Sequence, residues 1–188
     1  MSSEIRSEVM IAERTVIMEK QYEEDYNKGL RIDPERVRLL AFRLLTIFLA
    51  SKPLNTMRDG KPDSGPGILS TYERPEIEHL LLQIAILCRT ADDNATHGRT
   101  ICPRRNPIVG KLYPDASKTD CIDLNLREAC NKIIHQRRVN YEVVAGEYPW
   151  NSYCQPLLYI YGTKKRNTEW KAELDVKEFC YSLCHLPE

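Results

Sequence analysis

Apolar residues recur at helical spacing in two segments near the middle of the chain. The first begins at Asp33-Pro34-Glu35, where Asp can cap a helix, Pro suits its first position and Glu lies in its first turn. Apolar side chains then follow at helical spacing to about Ala50, and a similar pattern covers residues 75–90. The spacing therefore predicts two core helices.

A third helical pattern, over residues 123–138, combines an apolar face with a row of polar side chains. Positions i, i+4, i+8 and i+11 fall close to one line along a helix. That line holds Arg127, Asn131, His135 and Arg138, and the neighbouring face holds Leu124, Leu126, Ala129, Cys130, Ile133 and Ile134. The pattern predicts a helix that packs on a core and presents two guanidinium groups, a carboxamide and an imidazole.

The periodicity changes after this helix. Tyr141–Ala145, Leu157–Tyr161 and Trp170–Leu174 are short runs rich in β-branched and aromatic residues, separated by turn-forming segments. They predict three antiparallel strands in a meander. Asp175 can then cap a final helix from Val176 to about Cys184.

Together these elements predict an α+β fold, mostly α. We expect a helical bundle core with a small C-terminal antiparallel three-stranded sheet and a final helix. The single domain would cover residues 1–188, divided into an N-terminal helical arm (1–30), a helical core (31–140) with long loops at 51–73 and 92–119, and the sheet with its helix (141–188).

Composition narrows the class of protein. Hydrophobic residues make up 42% and charged residues 29% of the chain, as in soluble globular proteins. Neither a stretch of about 20 apolar residues nor a secretory signal pattern is present, so we expect a cytoplasmic protein without membrane contact. The seven cysteines lack the paired spacing of zinc sites, and Cys180, Cys184 and His185 come nearest to a ligand cluster. At this cluster we predict buried free thiols that behave as small hydrophobic residues, and for the chain we expect no metal and no cofactor.

Basic residues concentrate around the third helix although the net charge is zero. Residues 99–138 contain four acids (Asp115, Asp120, Asp123 and Glu128) and nine bases: Arg99, Arg104, Arg105, Lys111, Lys118, Arg127, Lys132, Arg137 and Arg138. An excess of cations in one region attracts polyanions. We therefore expect Lys132, Arg137, Arg104 and Arg105 to contact nucleic acid.

The string from Cys130 to His135 resembles the sequence mark of the HEPN superfamily of helical bundles. That mark is an Arg, four to six further residues and then a His, often with Asn directly after the Arg. Asn131 and His135 match the Asn and the His, whereas Cys130 stands where the Arg is expected and Arg127 is the available arginine. Members of the superfamily include RNA-cleaving toxins, anti-phage effectors and inactive relatives.

The resemblance implies metal-free RNA cleavage by a homodimer. His135 would exchange protons with the ribose 2′-hydroxyl or the leaving oxygen, and Asn131 would orient the phosphate or the imidazole. Arg138 or Arg127 would stabilise the charge on phosphorus. We thus expect an RNA-cleaving or RNA-binding protein of a defence or toxin system, an endoribonuclease if catalytic. The alternative is a non-catalytic HEPN-like interaction protein or a subunit of a larger complex, which Cys130 at the Arg position favours.

Overall fold

The described part of the chain forms four α-helices, a π-helical turn and one five-stranded sheet. It is taken from a computed structural model and belongs to one compact unit, residues 32–188. The predicted N-terminal arm, Arg104 and Arg105 lie outside the described residues. The described ranges are 33–57, 69–94, 107–146, 152–164 and 168–184.

The helices begin where side chains cap them. Helix α1 starts after Asp33, whose carboxylate accepts a hydrogen bond from the backbone N–H of Glu35 at 3.0 Å. Asp175 caps the last helix by accepting from the N–H groups of Lys177 and Glu178. Both predicted caps are confirmed. The helices are α1 (Pro34–Thr56), α2 (Arg74–Asn94, preceded by the π-helical turn Leu69–Glu73), α3 (Leu126–Ile134) and α4 (Val176–Cys184).

All neighbouring strands of the sheet are antiparallel, in the order β2-β1-β5-β4-β3. The predicted meander is present as β3, β4 and β5, and each strand is longer than expected. Strand β1 pairs with β5 on the other side, and β2 forms the edge beyond it. The strands are β1 (Ile108–Tyr113), β2 (Ile122–Asn125), β3 (Arg138–Val144), β4 (Tyr153–Thr163) and β5 (Glu169–Asp175).

The two faces of the sheet differ in burial. On β5, Trp170, Ala172 and Leu174 are buried and belong to one hydrophobic core with residues of all four helices. Lys171 and Glu173 alternate with them and stay partly exposed. Because successive strand residues point to opposite faces, the described helices pack on one face. The other face carries the polar side chains and is called the open face below.

The predicted fold class is wrong. The chain is not a helical bundle with a three-stranded sheet, because β1 and β2 arise from segments predicted as a loop (92–119) and as the start of a helix (123–138). Strands of four to six residues carry a weak periodic signal, and pairing with β5 stabilises β1. The loop predicted at 51–73 is also partly helical, since α1 continues through Pro53 to Thr56.

The third predicted helix is shorter than its pattern. Asn125 caps α3 by accepting from the N–H of Glu128 at 2.8 Å, so the helix starts at Leu126. After His135 the chain joins the sheet, where the N–H of Arg137 donates to the carbonyl of Tyr161 at 2.8 Å. Strand pairing therefore ends the helix before Arg138. Within the described ranges, no helix has the length and apolar content needed to cross a bilayer.

Candidate nucleic-acid interface

The structure separates the four residues of the predicted polar row. Arg127 and Asn131 lie on α3, His135 directly follows its last residue, and Arg138 is the first residue of β3. The helical line that would join them stops before Arg138. A single helical stripe of two guanidinium groups, an amide and an imidazole is therefore not formed.

Arg127 is held by acidic residues at the end of α2. Its guanidinium contacts the carboxylate of Asp92 at 2.9 Å and that of Asp93 at 3.5 Å. The side chain of Asp92 is 1% exposed, so Arg127 partly neutralises a buried charge. Asn131 makes a longer contact, 3.5 Å, from its amide nitrogen to Glu128. These contacts give Arg127 a structural role in joining α3 to α2.

The position where the HEPN mark has its arginine faces the interior. Cys130 is 1% exposed and belongs to the hydrophobic core. A guanidinium from this position of α3 is therefore not available to a phosphate. Cys88, Cys154 and Cys180 are also buried, whereas Cys121 and Cys184 are exposed. The predicted buried thiol is therefore confirmed at Cys180 and wrong at Cys184. Burial raises the pKa of Cys154 and of Cys180 to about 12, so these thiols stay protonated.

His135 is exposed and stands where α3 meets the ends of β4 and β5. Its backbone carbonyl lies so close to Gly162 that a Cβ on this glycine would be 2.8 Å from the oxygen. The same Cβ would lie 2.3 Å from the Trp170 ring. The absence of a side chain at Gly162 therefore allows the end of α3, and with it His135, to rest on this end of the sheet.

Three exposed basic residues share this end of the sheet with His135. Arg138 is the first residue of β3 and pairs with Tyr161, Arg137 directly precedes it, and Lys164 follows the last residue of β4. We call Arg137, Arg138 and Lys164 the basic end. In the described part of the chain, no ion pair involves Arg137 or Lys164, whereas Arg138 contacts Glu169 at 3.5 Å.

Lys132 is less available than these three residues. Its ammonium group pairs with Glu128 at 3.0 Å and lies 4.6 Å from the centre of the Trp170 ring. The side chain is 12% exposed, against 55% for Arg138. Of the predicted nucleic-acid contacts that the structure describes, Arg137 is exposed and Lys132 is engaged in packing.

Sequence reasoning missed a row of aromatic and basic side chains across the open face. Tyr113, Lys171, Tyr161 and Arg138 occupy paired positions on β1, β5, β4 and β3. We call these four residues the stacking row. The guanidinium of Arg138 lies 4.3 Å from the Tyr161 ring centre, and the Lys171 ammonium lies 4.6 Å from that of Tyr113. The alternation of side chains within β4 and β5 could have revealed part of this row. Tyr113 could not be found in this way, because it lies in the segment predicted as a loop (92–119).

Acidic residues on the open face are engaged by neighbouring side chains. The hydroxyl of Tyr159 donates to Glu142 at 2.9 Å, and this bond raises the pKa of Tyr159 to about 12. Lys171 pairs with Glu173 at 2.6 Å, and a hydrogen bond to the same carboxylate raises the pKa of Lys171. Tyr159 is therefore neutral and Lys171 is charged at neutral pH.

Comparison with known proteins assigns no family. No family model matches the chain, and neither a curated protein nor a solved structure matches it. The described residues contain no group of three or more His, Cys, Asp or Glu side chains arranged to hold a metal ion. The chemistry available at this end of the sheet is thus that of cations, tyrosine rings and one exposed imidazole.

Proposed function

We propose that this protein binds RNA at the basic end of the sheet. The observation that carries the proposal is that exposed Arg137, Arg138 and Lys164 lie around exposed His135, where α3, β3 and β4 meet. Lys164 follows Tyr161 by three residues, about 10 Å along a strand, and Tyr161 pairs with Arg138. One phosphate backbone can therefore contact all three cations.

The balance of charge at this end favours a polyanion. Glu169 is the acid in contact with Arg138, at a distance of 3.5 Å between exposed side chains, which is a weak ion pair. A phosphate oxygen can replace that carboxylate, since guanidinium groups bind phosphate in a bidentate manner. The sequence adds Lys165 and Arg166 directly after Lys164. The surplus of positive charge is what an RNA backbone requires.

The test is the salt dependence of RNA affinity. We expect a fluorescently labelled single-stranded RNA to bind the parent protein, with affinity falling steeply between about 50 and about 200 mM salt. Arg137→Gln and Lys164→Gln should each weaken binding and reduce the slope of log K against log salt by about 0.7 for a single strand. Arg43→Gln, an exposed arginine on α1, is the matched control. Equal losses in all three variants would contradict a localised site.

RNA cleavage by His135 is a second candidate function, favoured by the exposure of its imidazole three residues from Arg138. His135 would take the proton of a 2′-hydroxyl, whose oxygen attacks phosphorus while the 5′-oxygen leaves, producing a 2′,3′-cyclic phosphate and a 5′-hydroxyl. The leaving oxygen needs a proton from a second group. A homodimer would supply that group as the His135 of the second copy.

Cleavage is tested by incubating RNA with the parent protein, His135→Ala and Asn131→Ala. Cyclic phosphate ends that form with the parent protein and disappear in both variants would support catalysis, and sedimentation of the parent protein as a dimer would support shared acid–base chemistry. Intact RNA in the presence of the parent protein, with binding retained, would leave RNA binding as the function.

A further inference from the structure

We infer that the stacking row binds the bases of single-stranded RNA, with one base on the Arg138–Tyr161 pair and another on Tyr113. The inference rests on the proposed RNA binding and names the class of RNA that the site selects. Side chains that stack on bases need an exposed planar surface beside a path for the phosphates. On the open face, the exposed guanidinium of Arg138 and the partly exposed ring of Tyr113 provide the planar surface, and the basic end provides the path.

The register of the sheet sets the spacing of the stacking row. Lys171 pairs with Tyr113 on one side and with Tyr161 on the other. The two tyrosines are therefore two strands apart, about 9.6 Å at about 4.8 Å per strand. Arg138 is one strand further, next to Tyr161. This spacing fits two unstacked bases of an extended strand, and Lys171, whose ammonium lies over one face of the Tyr113 ring, separates them.

Arg138 and Tyr161 form one composite stacking surface. The guanidinium lies over the ring at 4.3 Å, and the side chain of Arg138 is 55% exposed. Among the described residues, the guanidinium of Arg138 contacts the Tyr161 ring with one face and Glu169 through a nitrogen. The other face of the guanidinium is therefore available. A base can stack on a guanidinium plane as it does on an aromatic ring. The underlying Tyr161 ring would hold the guanidinium in place.

The distribution of charge sets the direction in which phosphates and bases point. Glu142 and Glu173 lie further along the open face and repel phosphates, and their neighbours Tyr159 and Lys171 already engage them. Arg137 and Lys164 lie beyond the stacking row, at the basic end. A strand that crosses the row would therefore keep its phosphates over the basic end and its bases over the tyrosines.

A duplex cannot use the stacking row. Its bases are stacked on each other and paired, so their faces are not available to a flat protein surface. The basic end alone would bind single and double strands by charge, whereas the row adds affinity for the single strand. Selectivity for single-stranded over double-stranded RNA is thus the property that distinguishes stacking from phosphate contact.

The experiment measures affinity for a labelled oligouridine and for a blunt-ended RNA duplex by fluorescence anisotropy. We expect Tyr161→Leu and Tyr113→Leu each to weaken oligouridine binding about tenfold, the loss of one stacked base, and to leave duplex binding unchanged. Tyr161→Phe keeps the ring and should bind as the parent does. Tyr72→Leu is the matched control, since Tyr72 is 69% exposed on the π-helical turn.

Thermal unfolding separates a folding defect from a lost contact, because Tyr161→Phe and Tyr161→Leu should melt within a few degrees of each other. The stacking inference is overturned if Tyr161→Leu and Tyr113→Leu bind oligouridine as the parent does. RNA binding at the basic end would still stand in that case if Arg137→Gln weakens both ligands. A parent protein that binds neither ligand in low salt would overturn both proposals.

Discussion

The role of a single residue in this protein depends on partners that are distant in sequence. Arg127 has the residue type and spacing of a phosphate ligand, yet Asp92, 35 residues earlier, engages its guanidinium. The caps at Asp33 and Asp175 were predictable, because each acts on N–H groups two or three residues away. Local rules thus predicted the caps, and no local rule could predict the ion pair.

Arg127→Gln should lower the free energy of unfolding by about 1 kcal/mol, because the buried carboxylate of Asp92 loses its guanidinium partner. RNA affinity should not change, since Arg127 is outside the basic end. Urea denaturation and anisotropy measure the two quantities. Arg138→Gln is the comparison, with the opposite outcome expected. A loss of RNA affinity in Arg127→Gln at unchanged stability would mean that Arg127 contacts RNA after all.

At the scale of elements, the junction of α3 with the sheet positions the candidate site. Gly162→Ala places a methyl group against the Trp170 ring and the carbonyl of His135. Since Trp170 is 2% exposed and the carbonyl belongs to the backbone, neither can move freely. We expect a loss of about 1–3 kcal/mol in stability, typical of overpacking.

Circular dichroism during heating measures this loss. Thr163→Ala, at the next position and on the open face, is the control and should melt close to the parent protein. A Gly162→Ala variant with the melting temperature of the parent would show that α3 does not pack as closely on the sheet as described.

A buried carboxylate links α1, the π-helical turn and β4. Glu73 accepts a hydrogen bond from the hydroxyl of Ser51 at 2.8 Å, and that hydroxyl accepts one from the N–H of Cys154 at 2.9 Å. Burial raises the pKa of Glu73 above its ordinary value of 4.5, although hydrogen bonds from Ser51 and Asn55 oppose the shift. The folded state therefore binds the Glu73 proton more tightly than the unfolded state does.

A raised folded-state pKa means that the stability contributed by Glu73 is complete below the unfolded pKa and is lost as pH rises through the folded pKa. Glu73→Gln has no such proton to lose. The melting temperature of Glu73→Gln minus that of the parent should thus increase between about pH 4 and about pH 7. Glu76→Gln, exposed on α2, is the control for removing a carboxylate from the protein surface. A difference that is constant or decreases with pH would contradict the raised pKa.

Elements whose stabilising contacts lie close together in the sequence could be predicted, whereas elements that depend on distant contacts could not. Strands β3 to β5 form a local meander, so their own alternation was enough to find them. Strand β1 contains Gly110, where a Cβ would lie 1.9 Å from the Glu173 carbonyl. This glycine interrupts the apolar pattern and allows close pairing with β5. Strand β1 is therefore stabilised by pairing with residues more than 60 positions later in the chain. A local pattern of apolar and polar residues does not record such pairing.

At the scale of the whole molecule, the described helices pack on one face of the sheet, and the described residues leave the opposite face uncovered. The sequence indicated a basic region, and Arg137 and Arg138 belong to it. Lys164, Lys171 and the tyrosines of the stacking row come from the sheet, and only their strand register brings them together. The homodimer, the cytoplasmic location and the roles of Arg104 and Arg105 remain predictions from the sequence.

The most direct test of this account is an amide NMR titration of the isotopically labelled protein with an oligouridine. If single-stranded RNA binds as proposed, the largest shift changes will occur at Tyr113, Arg138, Tyr161 and Lys171, with smaller changes at Arg137 and Lys164. Residues on α1, such as exposed Phe42, will not shift. Changes concentrated on the helices, or none at a saturating concentration of RNA, would contradict the account.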